Sequence, residues 1–423
     1  MAKKENLRGT LNVQRLNVRN RALYLRPHHS PKEISSVWSS GTGVPPVTSR
    51  ARCACHLVRA RILKPLFIIS ISVAAFGAIA VSAGKDELAL SNPLTLKWRY
   101  GSDQTSNFTP ATDTATVYVP LADGTLVALD GRDGQLRWKS EPGGDFSAAP
   151  AVDERAVYVA TQYESADKTA TRGILRAMSK ETGITLWMRT LSAPLRTALV
   201  VDGPAVFAGA ANGSAYAFDK MNGRTLWVNQ YSDAFDGQPA LVSDRVYLGT
   251  LGGWLLALDR KSGDVIWRYR TRGAIRGPIA VADGIVVFGS ADGYVYACRD
   301  RRGEHLWKHR TGAAVVAVVA IEDGVLVSSL DNYAYSLSLR KGDLRWRQLL
   351  PGRIPARPVT AADGALFTPL STDTAIVLSL KNGKPLNTLQ LSEENNSSAA
   401  PIVTSDRVVL TTPHAVMAFA ANR

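Results

Sequence analysis

Cysteine is scarce: the 423 residues contain three, Cys53 and Cys55 as one Cys-x-Cys and Cys298 alone. That leaves no disulfide framework, and the pair lacks the second pair that a zinc site would need. Acidic residues are almost missing from positions 1–64, where 13 Lys+Arg face only Glu5 and Glu33. The other 359 positions hold 37 basic and 34 acidic groups, so most of the formal net charge of +14 sits in that first segment. The basic balance is therefore no argument for a nucleic-acid partner. Helical periodicity is missing too, which excludes a helical solenoid.

Long apolar runs are equally rare. The one present, residues 65–83, is uncharged, follows Arg59-Ala-Arg-Ile-Leu-Lys64 and ends at Val81-Ser-Ala83. It reads as a secretory signal cleaved after Ala83, with Ala78-Ile-Ala80 as a second cleavage site. The rival reading is an uncleaved membrane anchor, for which 19 residues are just enough. No cysteine follows the run to accept a lipid. Residues 1–64 read as a basic extension, disordered or belonging to a mis-assigned start, with Val58 the start an ordinary signal would have. Membrane contact is expected only through this N-terminal segment.

What the chain has in abundance is a repeat. Gly124-Thr-Leu-Val-Ala-Leu-Asp-Gly-Arg-Asp-Gly-Gln-Leu-Arg-Trp138 aligns position for position with Gly253 to Trp267 and with Gly293 to Trp307. Tryptophans fall at Trp98, Trp138, Trp187, Trp227, Trp267, Trp307 and Trp346, and the next expected position is Asn387. Each unit of about 40 residues breaks into four short apolar segments separated by turn signals such as Asp283-Gly284 and Asp292-Gly293. Four antiparallel strands per repeat describe a propeller blade.

Seven complete units cover about 110–391. The C-terminal stretch 401–419 supplies three more strands and stops, while a Trp-bearing fourth, Leu94–Tyr100, stands alone at the other end. Joining them predicts an all-β, eight-bladed propeller over residues 92–423 whose last blade is closed by the N-terminal strand. One large aromatic per outermost strand reads as docking between neighbouring blades.

These units resemble the tryptophan-docked repeats of pyrroloquinoline-quinone (PQQ) dehydrogenases and of the outer-membrane assembly factor BamB family. The enzyme branch implies a quinone beside adjacent cysteines and a calcium or lanthanide ion held by Glu, Asn and Asp. The adjacent cysteines are absent, His305 and His309 lie too far apart on one strand for a shared metal ion, and His414 has no evident partner. The expectation is a monomeric, non-catalytic scaffold with no cofactor, PQQ and calcium belonging only to the alternative of a dehydrogenase-like or small-ligand-binding propeller. The BamB branch implies an exported protein of the periplasm or cell envelope that docks on an envelope protein, the barrel assembly machinery, through a leucine-arginine loop, here Leu195 and Arg196. Chain geometry puts that loop on one face with Arg276, Arg353, Arg357, Trp254 and the insertion Tyr163 to Arg172. Trp254 stands outside the repeated tryptophan position and is expected as a surface aromatic.

Overall fold

The computed structural model describes residues 88–165, 168–322, 324–361 and 363–422. The basic extension, the apolar run 65–83, Cys53 and Cys55 lie outside the described residues. Those described form eight four-stranded antiparallel sheets. Blades 1 to 7 run over residues 111–140, 145–191, 200–230, 240–270, 280–310, 315–349 and 359–395, each with its strands paired in chain order. Blade 8 combines 402–403, 408–412 and 415–421 with the N-terminal strand Leu94–Gly101, which pairs antiparallel from Leu94 with Ala421 to Gly101 with Ala415, with one register shift between Leu96 and Trp98. The last blade is therefore composite.

Alternation explains each blade. The two middle strands are buried on both faces, as in Ile285–Gly289, because blades pack on either side. The outermost strand alternates, as in Val265–Arg270, where Trp267 turns inward and Arg268 and Arg270 face solvent.

The tryptophans join blade to blade. Each indole Nε1 donates to a backbone carbonyl in the next blade's last hairpin, from Trp98 to Gly131 at 3.1 Å round to Trp346 to Leu380 at 2.9 Å. The indole face lies on the hairpin glycine, four residues before the next tryptophan. A Cβ on Gly263 would stand 2.6 Å from Trp227 and one on Gly383 2.4 Å from Trp346, and both glycines have positive φ. No other residue suits that turn. In blades 1 to 4 a second-strand aromatic packs obliquely on the same blade's tryptophan at 5.8–6.2 Å.

Ion pairs back the same junctions. Asp113 meets Lys180 and Asp153 meets Lys220, both at 3.0 Å, and Asp202 meets Arg260 at 2.6 Å. Between blades 4 and 5 the polarity reverses, with Arg245 on Asp300 at 2.6 Å.

One junction differs. Blade 8 has no hairpin between its third and fourth strands, because those are the two ends of the propeller, so no carbonyl and glycine await a tryptophan from blade 7. Asn387 takes the position and donates through Nδ2 to the carbonyls of Asn92 at 2.7 Å and Leu90 at 3.3 Å. Asp363 accepts the amides of Leu90 and Ser91 at 3.0 and 2.8 Å, where other junctions use a lysine or arginine. Leu90, fully buried, fills the core between blades 7 and 8 with Leu366, Leu389 and Met417.

Candidate functional site

The links between blades obey the repeat. Eight residues after each tryptophan from Trp138 to Trp346 comes a buried apolar anchor: Phe146, Leu195, Phe235, Ile275, Val315 and Ile354, none more than 7% exposed. The anchor plugs the link onto the blade just finished, and a Cβ on Gly209 would meet Phe235 at 2.5 Å, as one on Gly249 would meet Ile275. Leu195 is one of these anchors, 1% exposed in a cluster with Leu191, Leu199 and Ala208. Its side chain is not on the surface, which corrects the expectation of a leucine presented to a partner. The repeat register carried that signal, since Leu195 aligns with Phe235 and Ile275.

In four successive links the residue after the anchor is Ser147, Arg196, Asp236 and Arg276; Ser147 stays buried and the three charged residues emerge. Arg196 is exposed. Asp236 Oδ2 lies 3.5 Å from Arg276 Nε, with both side chains about half exposed. The structure thus brings Arg196 and Arg276 to either side of one carboxylate. Arg196, Asp236, Phe108, Ser147, Phe235 and Leu251 line a pocket of about 430 Å³. The hydroxyl of Ser147 is buried there with no hydrogen-bond partner. Because the pocket joins inter-blade links to the turns around Ala211 and Leu251, both loop sets share this face.

Other residues of the face stay apart from that pocket. Arg353 borders a second pocket, of about 320 Å³, with Asn332, Gly352 and Ser371. Arg357, just before the innermost strand of blade 7, reaches solvent while its dense surroundings lower its guanidinium pKa by desolvation. Tyr163, half-buried, pairs with Arg172 across the lengthened hairpin of blade 2. Trp254 is half-buried, its ring under the guanidinium groups of Arg268 and Arg270 at 4.9 and 4.8 Å. Nor is it a singular aromatic. Tyr294 and Tyr333 hold the equivalent place and carry Lys308 and Arg347 in the same way.

The sequence concealed one pair on this face. His414 Nδ1 meets Glu393 Oε2 at 2.8 Å, and Glu393 also accepts from the Thr412 hydroxyl and the His414 amide. Burial would raise the Glu393 pKa, but these bonds outweigh it and lower it. Glu393 comes from an overlong last strand, Pro385–Asn395, that no repeat predicts.

Among the described residues no three His, Cys, Asp or Glu side chains gather into a group that could hold a metal ion, and the sequence has no adjacent cysteines of the kind the quinone branch implies. Cys298 is fully buried between strands, and burial pushes its thiol up to about 12, far from a reactive thiolate.

Residues 95–172, 123–277 and 272–423 each match the family described as outer membrane protein assembly factor BamB. The chain belongs to the BamB family. Among solved structures, BamB from Moraxella catarrhalis superposes with a TM-score of 0.65 at 17% identity, covering 78% of this chain and 98% of that one. The quinohemoprotein alcohol dehydrogenase of Comamonas testosteroni gives 0.61 at 13% identity over 81% of this chain and 78% of its own. The designed Ika8 protein reaches 0.67 at 17% identity, over 77% of this chain and 99% of its own. An assembly factor, an enzyme and a design share the architecture, so these likenesses speak for the fold. Among curated proteins no sequence matches.

Proposed function

We propose that this propeller is a non-catalytic binding scaffold of the cell envelope that holds a segment of an envelope protein against the face bearing the inter-blade links, with outer-membrane protein assembly as the specific role. The observation that carries the reading is the row Arg196, Asp236, Arg276 beside an open pocket. Three charges of alternating sign stand on links that buried anchors hold rigid, beside apolar surface from Phe108 and Leu251. Rigid loops with arginine and aromatic groups are the usual material of an interface centre. A partner segment would offer a carboxylate to Arg196, an apolar side chain to the pocket and a hydroxyl or amide to Ser147. Family membership supports the role in assembly and a place in the envelope.

The test is capture of purified periplasmic domains of the outer-membrane barrel insertase by the immobilised propeller. Arg196→Glu with Asp236→Arg should lower capture at least tenfold and leave the melting temperature within about 1 °C, because both side chains sit at the surface. Arg132→Glu and Lys261→Glu, in hairpins of the opposite face, should change neither. Capture lost from the opposite-face pair and kept in the first would place the partner on the other side.

A further inference from the structure

Blade 2 holds a guanidinium that nothing in the fold neutralises. Arg176, on the strand Thr171–Ser179, is only 9% exposed, and its one hydrogen bond runs from Nη1 to Thr161 Oγ1 at 2.9 Å. No carboxylate faces it: Glu141 and Asp145, the acids of the adjoining link, form no ion pair with it, and desolvation alone shifts its pKa, downward. At other inter-blade junctions the deeply placed Lys180, Lys220 and Arg260 each have an aspartate. Burying a cation without a counter-charge costs stability, so the exception calls for a partner from outside.

What surrounds Arg176 is a set of donors. The link before blade 2 contains Gly143 and Gly144, both exposed and with φ of 84° and 76°. Neither amide donates a backbone hydrogen bond. A Cβ built on Gly143 would meet one group only, Arg176 Nη2 at 3.9 Å, so the space over the guanidinium is open on that side. Gly144 backs onto the strand that carries Thr161, at 3.7 Å from a Cβ position to the Thr161 Cβ. Thr161 is fully buried, accepts from Arg176, and its own hydroxyl proton has no acceptor. The arginine fork and the Thr161 hydroxyl, with Gly143 and Gly144 beside them, thus lie together with no carboxylate in ion-pair reach, and this is the composition of an oxyanion site.

We propose that Arg176, Thr161 and the Gly143-Gly144 amides bind an oxyanion, a carboxylate or a phosphate, at the edge of blade 2. The site is separate from the Arg196 pocket and does not depend on the scaffold reading. A planar carboxylate or two phosphate oxygens can take both free edges of the guanidinium, while the glycines leave the entrance without side chains.

The probes are inorganic phosphate and N-acetylglycine, titrated into the exported propeller at constant ionic strength set with chloride and followed by calorimetry and thermal unfolding. Binding should saturate at one site per chain and raise the melting temperature. N-acetylglycinamide, which lacks the charge, should do neither. Response to phosphate alone, or to the carboxylate alone, tells which anion the site takes. Arg176→Met should abolish the response, and without anion it should melt no lower than the native chain, since it removes an unpaired buried charge. Should that variant fail to fold, Thr161→Val, which keeps volume, should weaken affinity at least threefold. No saturable response in the native chain, one that persists in Arg176→Met, or one of undiminished affinity in Thr161→Val, overturns the proposal.

Discussion

Two neighbouring junctions of the ring meet the same demand with different chemistry. Between blades 6 and 7, Trp346 lies on Gly383 and bonds to the Leu380 carbonyl at 2.9 Å. Between blades 7 and 8, Asn387 at the equivalent place bonds to the carbonyls of Asn92 and Leu90. The tryptophan is thus required by the hairpin it lands on rather than by its own strand. Where the two chain ends replace that hairpin, a short polar side chain is enough, and Leu90 supplies the apolar filling.

The largest effect should come from deleting residues 88–101. The cut removes Leu88, Leu90, Leu94 and Trp98 from the core and leaves Ala415–Ala421 as an unpaired edge. At roughly 2 kcal/mol for each buried leucine and about 4 for the tryptophan, the loss is on the order of 10 kcal/mol. Thermal unfolding and amide exchange in the third strand of blade 8 would show it, and an unchanged melting temperature would break the composite blade. Next, Trp267→Ala should cost about 3–5 kcal/mol by denaturant titration, whereas Asn387→Ala should cost only about 1. Equal losses would mean that the two junctions are not distinct in kind.

Acid should have the smallest effect. At Asp113, Asp153 and Asp363 burial pushes the carboxyl pKa up, but hydrogen bonds and, for the first two, a lysine outweigh it, so each ends lowered from 3.8. A folded-state pKa below the unfolded one gives stability that is complete above about pH 4 and is lost as pH falls through the folded value. Asp153→Asn should flatten that acid limb. Raising the pH from 5 to 8 should leave these three contributions unchanged.

The ring was legible because its evidence is periodic. Glycine, aspartate and tryptophan recur at fixed offsets, and the lone strand Leu94–Tyr100 at one end and the three strands of 401–419 at the other can only complete one blade. The working face was half legible, since chain geometry assigns loops to faces but not the direction of a side chain within a loop. Leu195 and Arg196 are adjacent, yet one is core and the other surface, and only alignment with Phe235 and Ile275 separates them. Arg176 and Glu393 escaped because their partners, Thr161 and His414, lie across strands at no repeated spacing. Trp254 is exceptional by residue identity alone; an aromatic ring with a cation opposite is the repeated theme of blades 4 to 6.

The composite blade also fixes an order of events. Thr95 hydrogen-bonds Asn422, 327 residues away. The strand synthesised before all other blades therefore waits for the last one made, and the ring cannot shut while the chain is still emerging. Until then the 415–421 edge and the apolar surface beneath Leu90 are open to any other extended segment, including that of a second nascent copy. The slowest and most concentration-sensitive step of folding should be this single closure, and tethering the two ends at the blade 8 hairpin position should speed it by shortening the search.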